Sequence, residues 1–175
     1  VDEVVPGLLS VGGVQKVLQN LLREGIPVRD MVTILEVLGD YAAKVKDTDI
    51  LTEYVRHALS RSISTLFQDE RGTIRVITLD PHLEELLGNA LKKSGDVAYL
   101  ALEPKLVQDI LDRTSLEVQK SIDQGVSQPV VLCSPQVRAH FKRLTERVAP
   151  QLAVLSFNEI EPTVSLESVG MVEVT

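Results

Sequence analysis

One cysteine, no tryptophan and an aromatic content of 3% leave several functions without their usual materials. The lone Cys133 excludes an internal disulfide and fits a reducing compartment. It closes the apolar run Val130-Val131-Leu132-Cys133, so it reads as a small buried hydrophobe rather than a reactive thiol. With so few aromatic rings, a stacking platform for single-stranded nucleic acid is excluded. The net charge of −7 also argues against duplex binding, because phosphate affinity comes from clustered Lys and Arg. Long apolar runs are missing too. The longest extends only from Val97 to Leu102, far short of the ~20 residues that span a bilayer. No basic stretch followed by an apolar one opens the chain, which gives no sign of a signal peptide. The first residue is Val1 rather than Met, which reads as a piece of a longer protein.

What is present suffices for a packed core. The 175 residues are 44% hydrophobic and 25% charged, a composition of one or two globular domains. The first part has helical grammar. Val14, Val17, Leu18, Leu21 and Leu22 follow the stripe of an amphipathic helix. Gly12-Gly13 is read as its flexible lead-in, and Gly25 as its left-handed cap. Pro27 is expected at the first position of a second helix, with Met31, Ile34, Leu35 and Leu38 on one face. A third helix is expected from about Asp49 to Phe67, capped by Asp47 or Thr48, with Ile50, Leu51, Tyr54, Val55, Ala58, Leu59 and Ile63 as its stripe.

The turn Asp69-Glu70-Arg71-Gly72 ends that pattern. Three short apolar runs follow, Ile74–Leu79, Pro129–Cys133 and Leu152–Leu155, which read as parallel strands buried on both faces. Asp80-Pro81 and Ser134-Pro135 each look like an N-cap followed by proline in the first helical position. The repeated junction favours right-handed β-α-β connections. A long helix is expected from about Pro104 to Gln124. Val97–Leu102 reads as an extra edge strand, and Val164–Val174 as an extended segment able to pair with an edge. The expected class is α+β to α/β. A small helical domain over residues 1–70 precedes a three-layer α/β domain over 71–175, with a short parallel sheet and an extended tail.

Catalytic constellations are not apparent. His57, His82 and His140 lie on three separate helices without metal-ligand spacing, so neither metal nor cofactor is expected. Gly12-Gly13 lacks the lysine and preceding strand of a phosphate loop. Asp80, at a strand's carboxyl end, lies where open α/β sheets place ligands, although capping is the stronger reading. Ser134 is weighed the same way. Ser156 and Glu159 have capping-box spacing. An enzyme or ligand sensor built on Asp80 and Ser134 therefore stands as an alternative to a binding protein. A second alternative is a DNA-binding helix-turn-helix over Val14–Gly39, but its second helix offers Arg29 alongside Asp30, Glu36 and Asp40.

The block from Val14-Gln15-Lys16-Val17-Leu18-Gln19-Asn20-Leu21-Leu22-Arg23-Glu24-Gly25-Ile26-Pro27-Val28-Arg29-Asp30-Met31 through Thr33-Ile34-Leu35-Glu36 resembles the family of flagellar and virulence type III export gate proteins, most closely its flagellar members. Leu51-Thr52-Glu53-Tyr54-Val55-Arg56-His57-Ala58-Leu59-Ser60-Arg61 and Ala153-Val154-Leu155-Ser156-Phe157-Asn158-Glu159-Ile160 extend the resemblance over nearly the whole chain. The resemblance implies a multi-pass protein of the bacterial inner membrane whose cytoplasmic part has four subdomains. This chain would be the third, helical, and the fourth, α/β. It further implies a ring of nine subunits under the membrane that receives export substrates and their chaperones. Passage into a channel would then be driven by the proton motive force, with a separate ATPase assisting. The family's chaperone groove lies between the first two cytoplasmic subdomains and has no counterpart in this chain. Arg29 and Asp30, in the most family-like block, are the candidate contacts between subunits or subdomains. Enzymatic turnover and nucleic-acid partners are not expected.

Overall fold

The computed structural model describes residues 3–95 and 97–174. Two compact units divide the chain, residues 1–63 and 64–175. The first is helical. A short π-type turn over Glu3–Leu8 precedes α1 (Val11–Arg23), α2 (Met31–Tyr41) and α3 (Thr48–Ala58). Ser10 caps α1 by accepting the Gly13 N–H, so Gly12 and Gly13 belong to its first turn rather than to a loose lead-in. A β-carbon on Gly13 would stand 2.7 Å from the Leu9 side chain, which explains a glycine in a helix. At the other end Gly25 has φ +75°. The Ile26 and Gly25 N–H groups reach back to the Leu21 and Leu22 carbonyls, the expected left-handed cap.

The second helix departs from expectation. Pro27 lies in an extended connection and α2 begins four residues later, because Asp30 captures the Thr33 N–H and so fixes the start. The third helix is also not continuous. It breaks at Leu59, and α4 (Ser60–Phe67) carries the chain onward from there. The division between units falls inside α4, before the expected boundary near residue 70. Ser64 belongs to the second unit: its hydroxyl donates to the Glu159 carbonyl and accepts the Glu161 N–H.

That unit holds a four-stranded sheet in the order β5-β4-β1-β6, wholly parallel. Its strands are β1 (Thr73–Leu79), β4 (Val130–Cys133), β5 (Ala153–Ser156) and β6 (Ser165–Val172). The three apolar runs read from the sequence are β1, β4 and β5, side by side. The expected extended tail becomes β6, an outer strand paired with β1 and interrupted by a bulge opposite Val76 and Ile77. Helices α5 (Pro81–Asn89), α6 (Pro104–Asp123) and α7 (Pro135–Thr145) lie between the strands in sequence. Ile77, Val131 and Val154 share one register layer, and with Leu83, Leu87, Ile110, Val137 and Phe141 they form the core. Ile74, Val76, Val130, Leu132 and Leu155 are buried on the opposite face, so the sheet is covered on both sides. Cys133 is fully buried in that core.

Val97–Leu102 is not an edge strand of this sheet. Its residues Val97–Leu100 form β3, antiparallel to β2 (Leu91–Ser94), a separate two-stranded hairpin. β2 escaped the sequence reading because Leu-Lys-Lys-Ser carries neither β-branched residues nor an alternating apolar pattern.

Candidate functional site

The Arg29-Asp30 turn is built by the two helices it joins. The chain leaves the α1 cap through buried Ile26, passes half-buried Pro27 and Val28, and surfaces at Arg29 and Asp30. Asp30 accepts the Thr33 hydroxyl at 2.7 Å and the Thr33 N–H at 3.1 Å. Those two bonds, the hydroxyl foremost, hold its carboxyl below the ordinary aspartate value. Arg29 is exposed beside it, and Val32, the second residue of α2, is 69% exposed. Charge and apolar surface therefore adjoin at the start of α2. Glu36 and Asp40 are exposed on the same helix, an arrangement that would repel a phosphate backbone.

Behind the turn, α1 and α3 meet across a polar seam. The Asn20 amide donates to Asp49 at 3.2 Å and to the Thr52 hydroxyl at 3.1 Å, and Thr52 in turn donates to the Thr48 carbonyl. Glu24 lies 3.8 Å from the Arg56 guanidinium, which is 1% exposed. Asn20 with Glu24, and Thr52 with Arg56, are each one helical turn apart, so two short polar rows face one another. A buried ion pair of this kind serves register better than stability, since desolvation offsets most of its attraction.

The carboxyl ends of β1 and β4 place Asp80 and Ser134 as expected, but a protein group closes the connection between them. Asp80 accepts the His82 N–H at 3.1 Å, the bond of a helix cap. The Ser134 side chain makes no cap bond. Its N–H donates instead to the Glu84 carboxylate of α5 at 2.8 Å. Glu84 thus tethers the strand end that a ligand would need. The Ser156–Glu159 capping box is present, and Glu159 also lies 3.8 Å from buried Arg138. Among the described residues no group of three or more His, Cys, Asp or Glu could hold a metal, and His57 and His82 are exposed.

Buried cations on α7 were not read from the sequence. Arg138 donates to the Val154 carbonyl at 3.0 Å, and Lys142 to the carbonyls of Pro150 and Leu152 at 3.1 and 2.7 Å. Four helical residues rise about 6.0 Å and two extended residues about 6.6 Å, so the i, i+4 pair matches two alternate carbonyls, Leu152 just before β5 and Val154 within it.

The chain matches the FHIPEP family over residues 1–165. It is 39% identical over 175 residues to the flagellar biosynthesis protein FlhA of Bacillus subtilis, covering 99% of this chain and 26% of that protein. Among solved structures it superposes on the complex of the Chlamydia pneumoniae CdsV and CdsO proteins with a TM-score of 0.85 and 34% identity, covering 98% of this chain and 50% of that one. It superposes on nonameric SctV-C of EPEC with a TM-score of 0.80 and 27% identity, covering 94% and 49%. The chain thus spans about a quarter of the relative's length and half of each solved chain. No described helix is long and apolar enough to cross a membrane.

Proposed function

The chain belongs to the FHIPEP family, and on that premise we propose that it is the cytoplasmic part of a flagellar type III export gate, a docking platform without turnover of its own. The observation that carries this is the continuous match along residues 1–165, with 39% identity to a flagellar member over almost the whole chain. The parent protein would be multi-pass in the bacterial inner membrane, with this part on the cytoplasmic face. Export chaperones, flagellar substrates and other components of the apparatus would be its partners. The nonameric state of SctV-C and the pairing of CdsV with CdsO are precedents for a ring and for a bound component. Arg29 and Asp30 would contribute contacts between neighbouring subunits or subdomains, since they are exposed charges at the turn into α2.

Three measurements test this reading. The gene that encodes the chain should specify membrane-spanning helices upstream of residue 1, and a full reading frame without them would overturn the assignment. Placing the chain in Bacillus subtilis FlhA, in exchange for the segment it matches, should preserve swimming and secretion of hook and filament proteins. A hybrid that accumulates stably yet exports nothing would count against a flagellar role. Nucleotide hydrolysis or general hydrolase activity lost on Asp80→Ala would overturn the absence of turnover.

A further inference from the structure

The two edges of the parallel sheet are finished differently. At β5, which is four residues long, side chains of α7 cover the backbone. Arg138 donates to the Val154 carbonyl, and Lys142 to the Leu152 carbonyl just before the strand. Short strands and covering groups of this kind protect an open sheet against further pairing. β6, at the other edge, has neither. It runs for eight residues, Ser165–Val172, and contains no lysine, arginine or proline. Its one charged residue, Glu167, lies 3.8 Å from Arg75 of β1, so that charge is engaged within the sheet.

The direction of the backbone groups follows from the register. The Ser165 N–H donates to the Gly72 carbonyl at 3.1 Å, so Ser165 turns its backbone toward β1. Peptide groups alternate along a strand, and those of Leu166 and Ser168 therefore point away from β1. Among the described residues no side chain bonds to the backbone of Ser165–Ser168, and all four residues are exposed. The bulge does not close this stretch. Its extra residue, Val169, packs against the core cluster and leaves Ser165–Ser168 as a regular run before it. Leu166, at 46% exposure, and Met171, at 39%, are registered beside Ile74 and Thr78 and so share one face of the strand.

We propose that β6 accepts an extended segment of a partner protein as a fifth strand of the sheet. The backbone of that segment bonds to Leu166 and Ser168, and its apolar side chains lie beside Leu166 and Met171. Unpaired N–H and C=O groups at strand spacing are complemented by another extended chain, which selects this occupant over a helix or a lipid surface. The strand-addition surface goes beyond the docking role proposed above and stands on the geometry of the edge. Binding in solution therefore tests it separately from the export assignment.

The test uses the whole chain and a short fluorescent peptide alternating valine and threonine, carried on a polyethylene glycol tail for solubility. Its fully N-methylated counterpart keeps the side chains but has no N–H groups with which to form a strand. The first peptide should bind and slow hydrogen exchange at the Leu166 and Ser168 amides, and the second should do neither. Leu166→Lys places a guarding lysine on the edge and should weaken the peptide roughly tenfold or more, with thermal unfolding unchanged. Leu166→Pro deletes the outward N–H at a position where edge strands tolerate proline, and should abolish binding. If the proline variant does not fold, the lysine variant decides. Failure of the first peptide to bind, equal binding of the N-methylated peptide, or unaltered affinity in Leu166→Lys would overturn the proposal. So would protection confined to amides outside β6, or self-association of the chain mapped to the same amides, which would make a second copy the occupant.

Discussion

Asp30 carries two bonds from Thr33, whereas its exposed neighbour Arg29 is the charge proposed to meet another subunit or subdomain. The two roles separate by mutation. Arg29→Asp leaves the α2 cap in place, so thermal unfolding should stay unchanged while swimming and ring assembly fall. If function is lost only together with stability, the interface role fails and capping alone explains the pair. Asp30 and Asp69 also predict an acid response. Asp69 accepts the N–H groups of Thr73 and Arg71, and the Thr73 bond is the main cause of its lowered carboxyl value. Both carboxylates are depressed in the folded state, so each stabilises the fold above the ordinary aspartate value and loses that effect as pH falls toward its own lower value. Asp30→Asn and Asp69→Asn should each lower the urea midpoint at neutral pH and flatten its decline below the ordinary aspartate value. An unchanged acid profile in both variants would refute the assignment. The capping spacing at Asp30 was open to a sequence reading, but Pro27 competed for the helix start, and only the Thr33 bonds decide between them.

At the scale of elements, β1, β4 and β5 could be read from the chain because strands buried on both faces need uninterrupted apolar runs. β2 and the break at Leu59 could not, since one is held by its antiparallel partner and the other occurs within an unbroken apolar stripe. The α7 cations are the clearest case of a structural role hidden in a polar face. Arg138 and Lys142 look solvated in sequence, yet both are buried and bonded to backbone carbonyls at the outermost strand. Lys142→Met keeps the aliphatic stem and removes donors from Pro150 and Leu152. Unfolding in urea should show a loss of about 1–3 kcal/mol, the cost of leaving buried carbonyls unbonded. Aggregation on mild heating should rise as the segment that leads into the edge strand β5 loosens. A variant as stable and as soluble as the parent would show that those carbonyls find other donors.

For the whole molecule, the long match places the chain in the FHIPEP family, whereas the partners that touch it were not readable. Docking surfaces are exposed and lack the periodic pattern that marks a core. Charge decides the rival reading at this scale. Helices α1 and α2 with the intervening turn have the outline of a helix-turn-helix, and fold outline alone does not establish function. A reading helix needs an electrostatic footprint, and α2 presents exposed Glu36 and Asp40 on a chain of net charge −7. Duplex DNA should therefore produce no anisotropy change at low ionic strength, where nonspecific attraction is strongest. A Kd in the nonspecific range of about 10⁻⁴–10⁻⁶ M with a steep salt dependence would mean that several cations reach the phosphates, and the helical unit would then have to be reassigned as a DNA reader.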